Sequence, residues 1–210
     1  MKNAMRKDFW REIKHTRSRF FSIMILVALS VAFLSGLKAT APDMKRTGDD
    51  YLDSLHLADI QVLSTLGLTD EDIAALRAQD KVEDAEGEYV IDAIASSDSL
   101  DAVVKVLSLT GRGINEVLLR EGRMPERADE CVVQTTAGRY TEKALHIGDV
   151  LEISRENTDY GALCGKVTAT KLTVVGICES PMSISVVAEP TAVGSGSITH
   201  MVYTPAALFT

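Results

Sequence analysis

From Phe20 to Leu37 the chain reads FFSIMILVALSVAFLSGL, eighteen positions with no charge and no polar face. As a helix rising about 1.5 Å per residue the run spans about 27 Å, close to a hydrocarbon core of about 30 Å. Eleven of the eighteen are Leu, Ile, Val or Phe, each favouring the bilayer by about 0.3 to 0.6 kcal/mol. A soluble surface helix keeps a polar stripe, so the pattern predicts a transmembrane helix over residues 20–38. Upstream, Met5, Phe9 and Ile13 recur at four-residue spacing with Trp10 beside them and Lys or Arg elsewhere. That spacing suits a basic segment, residues 1–19, lying at the membrane interface; a plain stop-transfer flank has the same composition. Downstream, Tyr51, Leu52 and Leu55 keep helical spacing in a polar stretch, which predicts a helical stalk over residues 39–57.

Beyond the stalk, over residues 58–210, the period changes. Ile60–Leu63 reads as a short strand. Thr69 is a cap candidate followed by Asp70, Glu71 and Asp72, whose charges suit the positive end of a helix dipole, and the helix is expected to end near Gln79. Strands are predicted over Glu88–Ala95, Val103–Leu109, Glu130–Gln134, Val150–Ser154, Lys166–Cys178 with an interruption, and Met201–Thr204. Leu151 and Ile153 alternate with Glu152 and Ser154, and Leu172 and Val174 flank Thr173. Thr136–Leu145 reads as a second helix, and Gly122, Pro125, Gly138, Gly148, Gly161, Gly176 and Gly194–Ser197 as turns. No regular βαβ alternation runs through these elements. The predicted fold is therefore α+β: one N-terminal transmembrane helix, then a mixed α+β extracytoplasmic domain in one lobe or two, with mixed or antiparallel sheets.

Charge sharpens the picture. The chain has 22 basic and 30 acidic residues, a net of −8. Residues 1–19 carry a net of +5, and residues 38–210 a net of −13. The basic flank places the N-terminus in the cytoplasm and the main domain outside, in the cell membrane. The acidic balance argues against a nucleic-acid partner, which needs a basic face. A cleaved signal peptide competes with the membrane helix, because Ala39-Thr40-Ala41 has the form of a cleavage site. The apolar run exceeds the usual signal length of about 7 to 15 residues, which favours retention. Ala28, Ala32 and Gly36 recur every four residues, a small-residue stripe on which another membrane helix could pack closely; small residues are also common in membrane helices generally.

Residues with catalytic chemistry do not assemble into a motif, so no catalytic, cofactor-binding or metal-binding residue is assigned. Gly161–Val167 is one residue short of a phosphate-binding loop and lacks its Ser or Thr, so it reads as a plain loop. Gly111-Arg112-Gly113 lacks the third glycine of a dinucleotide loop. His15, His56, His146 and His200 have no paired spacing for zinc. The acidic runs Asp49-Asp50, Asp70–Asp72 and Glu83–Glu88 lack the calcium-loop pattern and read as solvated surface. Cys131, Cys164 and Cys178 are odd in number; a Cys164–Cys178 disulfide and free buried thiols are both open.

The order of segments is specific where the pieces alone are not. The basic start MKNAMRKDFWREIKHTRSRF, one apolar helix, and then LLREGRMPERADECVV, LHIGDVLEIS, LTVVGICESP and ITHMVYTPAALF resemble the N-terminal part of FtsX-like, MacB-like ABC transporter permeases across nearly the whole chain. The Gly122-Arg123-x-Pro125 turn ahead of Asp129-Glu130, followed by Ile147-Gly148-Asp149, is the most specific part. The resemblance implies a permease subunit, working as a dimer, that passes motion from a separate cytoplasmic ABC ATPase to an extracytoplasmic domain. Members expel peptides, lipids or lipoproteins, or control an extracytoplasmic protein. Family members have at least four membrane helices, so the resemblance implies that this chain is the N-terminal portion of a permease, not itself an enzyme. The alternative from a different class is a single-pass or secreted extracytoplasmic binding domain outside any transporter.

Overall fold

The computed structural model describes residues 2–97, 101–134, 145–182 and 189–210. It divides into two compact units, residues 1–51 and 52–210.

In the first unit, α1 (Lys2–His15) is followed after Thr16 by α2 (Arg17–Ser54), whose C-terminal residues belong to the second unit. The apolar run lies within α2, and none of it is buried by protein. Two of its hydroxyls bond back into the helix, Ser22 donating to the Ser18 carbonyl and Ser30 to that of Leu26, as does Thr40 just beyond the run to Gly36, each at 2.8 Å. A hydroxyl so bonded needs no water as its acceptor. Pro42 sits inside α2, where it removes one backbone donor.

The second unit is built on one mixed seven-stranded sheet, β1 (Val90–Ser96), β2 (Asp101–Ser108), β3 (Leu118–Gly122), β4 (Glu130–Gln134), β5 (Val150–Ile153), β6 (Lys171–Glu179) and β7 (His200–Thr204). The spatial order is β3-β6-β4-β7-β2-β1-β5, and β5 also pairs with β6. Six strands therefore close into a ring, β1-β2-β7-β4-β6-β5, with β3 outside it on the second half of β6. The pairs β2–β7 and β4–β6 are parallel and the others antiparallel. Period-two alternation fills the ring: Ala93 and Ala95, Ala102, Val104 and Val106, Cys131 and Val133, Leu151 and Ile153, Leu172 and Val174, and Val202 form one buried cluster. A smaller cluster of Leu107, Val132, Cys178 and Tyr203 lies on the opposite face of the same strands. The three thiols are free, Cys131 and Cys178 buried and Cys164 half-buried, which is the second of the two cysteine readings.

Several expectations change. Ile60–Leu63 is not a strand; its alternation is there, but the segment enters no sheet pairing. Gly161–Val167 is not a plain loop: Tyr160–Cys164 is a short helix, α4, after α3 (Asp70–Arg77) in chain order. Tyr160 and Leu163 pack against the ring core, so tertiary contact makes a turn of helix that propensity does not. The strand β3 was not expected, and the predicted helix Thr136–Leu145 falls outside the described residues except for Leu145. Thr69 caps α3 as anticipated, accepting from the Asp72 N–H at 3.3 Å while the Asp72 carboxylate accepts from the Thr69 N–H at 2.9 Å.

Where β1 and β5 part, Asn157 takes over as a sheet partner. Its amide oxygen accepts from the Ile94 N–H at 2.8 Å and its nitrogen donates to the Ile94 carbonyl at 2.9 Å and the Ser154 carbonyl at 2.6 Å. Asn157→Ala leaves the Ile94 N–H without this acceptor, while the Ile94 carbonyl keeps the Ser154 N–H at 2.9 Å, and is expected to destabilise the domain by about 1–3 kcal/mol, measured by urea unfolding of the chain in detergent.

Candidate functional site

Three of the segments behind the family resemblance meet at one place. In β6 the register against β4 steps from Cys131 opposite Val174 to Val132 opposite Gly176, so Val175 is the extra residue of a bulge. The bulge reverses the side-chain alternation: Leu172 and Val174 face the ring core before it and Ile177 after it, while Val175 and Cys178 join the outer cluster. Its two carbonyls are each taken by a turn. Gly148 of the Ile147-Gly148-Asp149 turn donates to the Val174 carbonyl at 2.8 Å, and Arg123 of the Gly122-Arg123-x-Pro125 turn donates to the Val175 carbonyl at 3.1 Å.

Gly122 and Gly176 permit this convergence. Gly122 has φ of +79°, and a Cβ built there would lie 2.8 Å from the Gly176 Cα and 2.9 Å from the Ile147 side chain. A Cβ on Gly176 would lie 2.6 Å from the Arg123 carbonyl oxygen and 2.8 Å from that of Glu121. No side chain of any size fits between the two backbones.

One turn further on, Arg123 grips Glu130 with both guanidinium nitrogens, at 2.8 and 2.7 Å. The Glu130 carboxylate, 3% exposed, also accepts from the Glu126 and Arg127 N–H groups at 3.0 and 3.4 Å, and Arg127 approaches it at 3.1 Å. The Arg123 guanidinium, then these backbone donors, hold its carboxyl down at about 2. Pro125 is buried under the same turn.

A second junction lies at the end of α2. Asn115, with φ of +55°, donates its N–H to the His56 carbonyl at 3.0 Å and accepts the Ala58 N–H at 2.8 Å. Glu116 donates to the Leu55 carbonyl at 3.0 Å, and Leu55 is buried. The same loop is held from its other side, where the Glu86 carboxylate accepts from the Gly111 and Arg112 N–H groups at 2.5 and 3.0 Å. Asp84 binds both Arg77 and Arg112, at 2.8 and 2.6 Å. The Glu83–Glu88 run is therefore not merely solvated surface; its carboxylates staple loop to loop. Glu88, half-buried near the Lys105–Glu189 ion pair, has its carboxyl raised to about 7, chiefly by burial, with Lys105 opposing and Glu86 adding to the rise.

The remaining sequence candidates stay apart. Ala28, Ala32 and Gly36 lie at successive turns of α2, exposed, and nothing lies within 4 Å of a Cβ on Gly36. His15 ends α1, His56 follows α2, His146 is on a surface turn, and His200 is buried in β7 with Nδ1 3.1 Å from the Thr199 hydroxyl. Among the described residues no group of three His, Cys, Asp or Glu side chains is placed to hold a metal ion. Burial pushes the Cys131 and Cys178 thiols up to about 12, so neither supplies a thiolate at neutral pH. What is built here is two junctions, a hydrogen-bonded one after α2 and a clasp at the Val175 bulge. Arg123–Glu130 is only seven residues long in sequence, and its charge spacing could have been noticed; Gly176, Asn115 and Glu86 act through partners too distant for any local signal.

No protein-family model and no curated protein matches the sequence. Among solved structures, the extracellular domain of the noncanonic ABC-type transporter YknZ from Gram-positive bacteria is similar, with a TM-score of 0.38 and 14% identity over 68% of this chain. The chain spans 64% of the length of that neighbour. What the structure itself defines is a chain with a long apolar N-terminal helix followed by a mixed α+β sheet domain.

Two carboxyls give opposite pH slopes. Glu130 is held below its ordinary value of 4.5, so its stabilisation is complete above about 4.5 and is lost as pH falls towards about 2. Glu88 is raised above 4.5; the folded state then binds more protons than the unfolded one, and stability falls as pH rises from about 4.5 to 7. Glu88→Gln is expected to abolish the second slope and Glu130→Gln the first, read from urea midpoints across pH. Gly122→Ala is expected to cost at least about 1–2 kcal/mol from its left-handed backbone alone, measured the same way.

Proposed function

We propose that the chain is the N-terminal portion of the permease subunit of an ABC transporter of the FtsX-like, MacB-like kind. In this reading α2 crosses the cell membrane with the N-terminus in the cytoplasm, and the sheet domain is extracytoplasmic. The chain is not itself an enzyme; a separate cytoplasmic ABC ATPase hydrolyses ATP, and a dimer of permeases turns that cycle into motion of the outer domains. Export of a peptide, lipid or lipoprotein, or control of an extracytoplasmic protein, follows from that motion.

The observation that carries the reading is the clasp. The Gly122-Arg123-x-Pro125 turn and the Ile147-Gly148-Asp149 turn, the most specific part of the resemblance, both hydrogen-bond to one bulge, beside Gly176. A chance likeness of short strings would not be expected to gather there. Supporting it, α2 is continuous from the apolar run to Ser54, and the residues just beyond are hydrogen-bonded into the loop between β2 and β3.

The test is affinity isolation of the natural full-length protein from membranes in mild detergent. An ABC ATPase should accompany it in comparable amount, and alkaline extraction should release the ATPase while the chain stays in the membrane; a chain recovered without an ATPase even after cross-linking would favour the free-standing binding domain. A second expectation concerns the stripe Ala28, Ala32 and Gly36, read as the face that meets other membrane helices. Ala32→Phe with Gly36→Phe in the intact assembly should leave ATP hydrolysis running while transport per ATP falls by about 2- to 30-fold. Unchanged transport would remove the stripe from the coupling path.

A further inference from the structure

The helix α1 falls within the basic segment whose spacing suits a membrane interface, and its two faces say more. Along it Lys7, Trp10, Arg11 and Lys14 line one shallow concavity, at the three- and four-residue spacing of a helix face. Met5 and Phe9 lie on the other side, exposed, and Ile13 follows them half-buried. Asp8 and Glu12 occupy one flank, which leaves the flank of Trp10 and Lys14 without an acid. A fourteen-residue helix with its apolar side chains in water is marginal by itself. An acidic protein partner would match the cationic face and leave Met5 and Phe9 uncovered. The boundary between phospholipid headgroups and acyl chains matches both faces at once, and Thr16 alone separates α1 from the helix that contains the apolar span.

We propose that α1 docks on an anionic phospholipid surface, with Lys7, Arg11 and Lys14 against headgroup phosphates and Met5, Phe9 and Trp10 at the acyl boundary. The inference rests on the reading that α2 spans a bilayer, and it adds the lipid class that α1 recognises. Each cation near an anionic surface shifts the docked population by about fivefold, so the three together shift it by about a hundredfold.

Trp10 is the chain's single tryptophan, so its fluorescence reports α1 alone. The whole chain is reconstituted into phosphatidylcholine vesicles with and without phosphatidylglycerol. Emission is expected to be blue-shifted and shielded from the neutral quencher acrylamide only with phosphatidylglycerol, returning towards the phosphatidylcholine values in high salt. Lys7→Glu, Arg11→Glu and Lys14→Glu combined should abolish the difference, and Lys7→Arg with Lys14→Arg should keep it. Identical emission in the two vesicle types, exposed or shielded, overturns the proposal without needing any variant. Resistance to alkaline extraction separates the two levels: a resistant chain with an indifferent Trp10 sinks the lipid inference alone, and an extracted chain sinks the spanning reading as well.

Discussion

The outer domain depends on one close approach, that of the backbones at Gly122 and Gly176. Because no Cβ fits at either position, β3 can reach β6 and its carbonyls can leave the ladder for the turns that follow. The bulge at Val175 is what puts Gly176 there. It also lets a single strand serve two cores, with Leu172, Val174 and Ile177 in the ring and Val175 and Cys178 outside it. Remove the bulge and every side chain after Val174 would present the wrong face. Glu130 then fixes the turn that crosses the bulge. It is an ion almost without solvent contact, and such a charge is tolerable only when its lone pairs are filled; Arg123 and two backbone N–H groups fill them.

The two units differ in how their polar groups are satisfied. In α2 the apolar span has no protein cover and Ser22 and Ser30 bond back into the helix, while in the second unit side chains also join elements distant in sequence, as Asn157 does to β1 and Glu86 to the loop between β2 and β3. Charge follows the same division, positive before the apolar run and negative after it. The acidic excess of the sheet domain is partly consumed in fixed pairs such as Asp84 with Arg77 and Arg112.

Most strands were legible because burial on one face imprints alternation, and Val150–Ile153 or Glu130–Gln134 could be placed within a residue or so. Alternation alone does not supply a partner, which is why Ile60–Leu63 looked like a strand and is not one. The reverse failure is β3: Leu118–Gly122 has no alternation, and its strand state comes from β6 and the Gly122 approach. The capping box of α3 was local and therefore readable, whereas α4 owes its helix to contacts of Tyr160 and Leu163 with a core assembled elsewhere. Within the clasp, both turns could be read from glycine spacing. Their meeting could not, because Gly122 and Gly176 are brought together only when β6 is in place.

The loop between β2 and β3 is where these levels join. Its residues hold the segment after α2 through Asn115 and Glu116, and its first half is pinned by Glu86 and, through Arg112, by Asp84. A displacement of Leu55–Ala58 would thus reach β2, a full member of the closed ring, and β3, which ends at the clasp. A closed ring resists shear because every strand has two partners, but β3 lies outside it with one. Among the described residues β3 pairs with β6 alone, so its place in the domain rests on that one ladder and on the clasp at its Gly122 end.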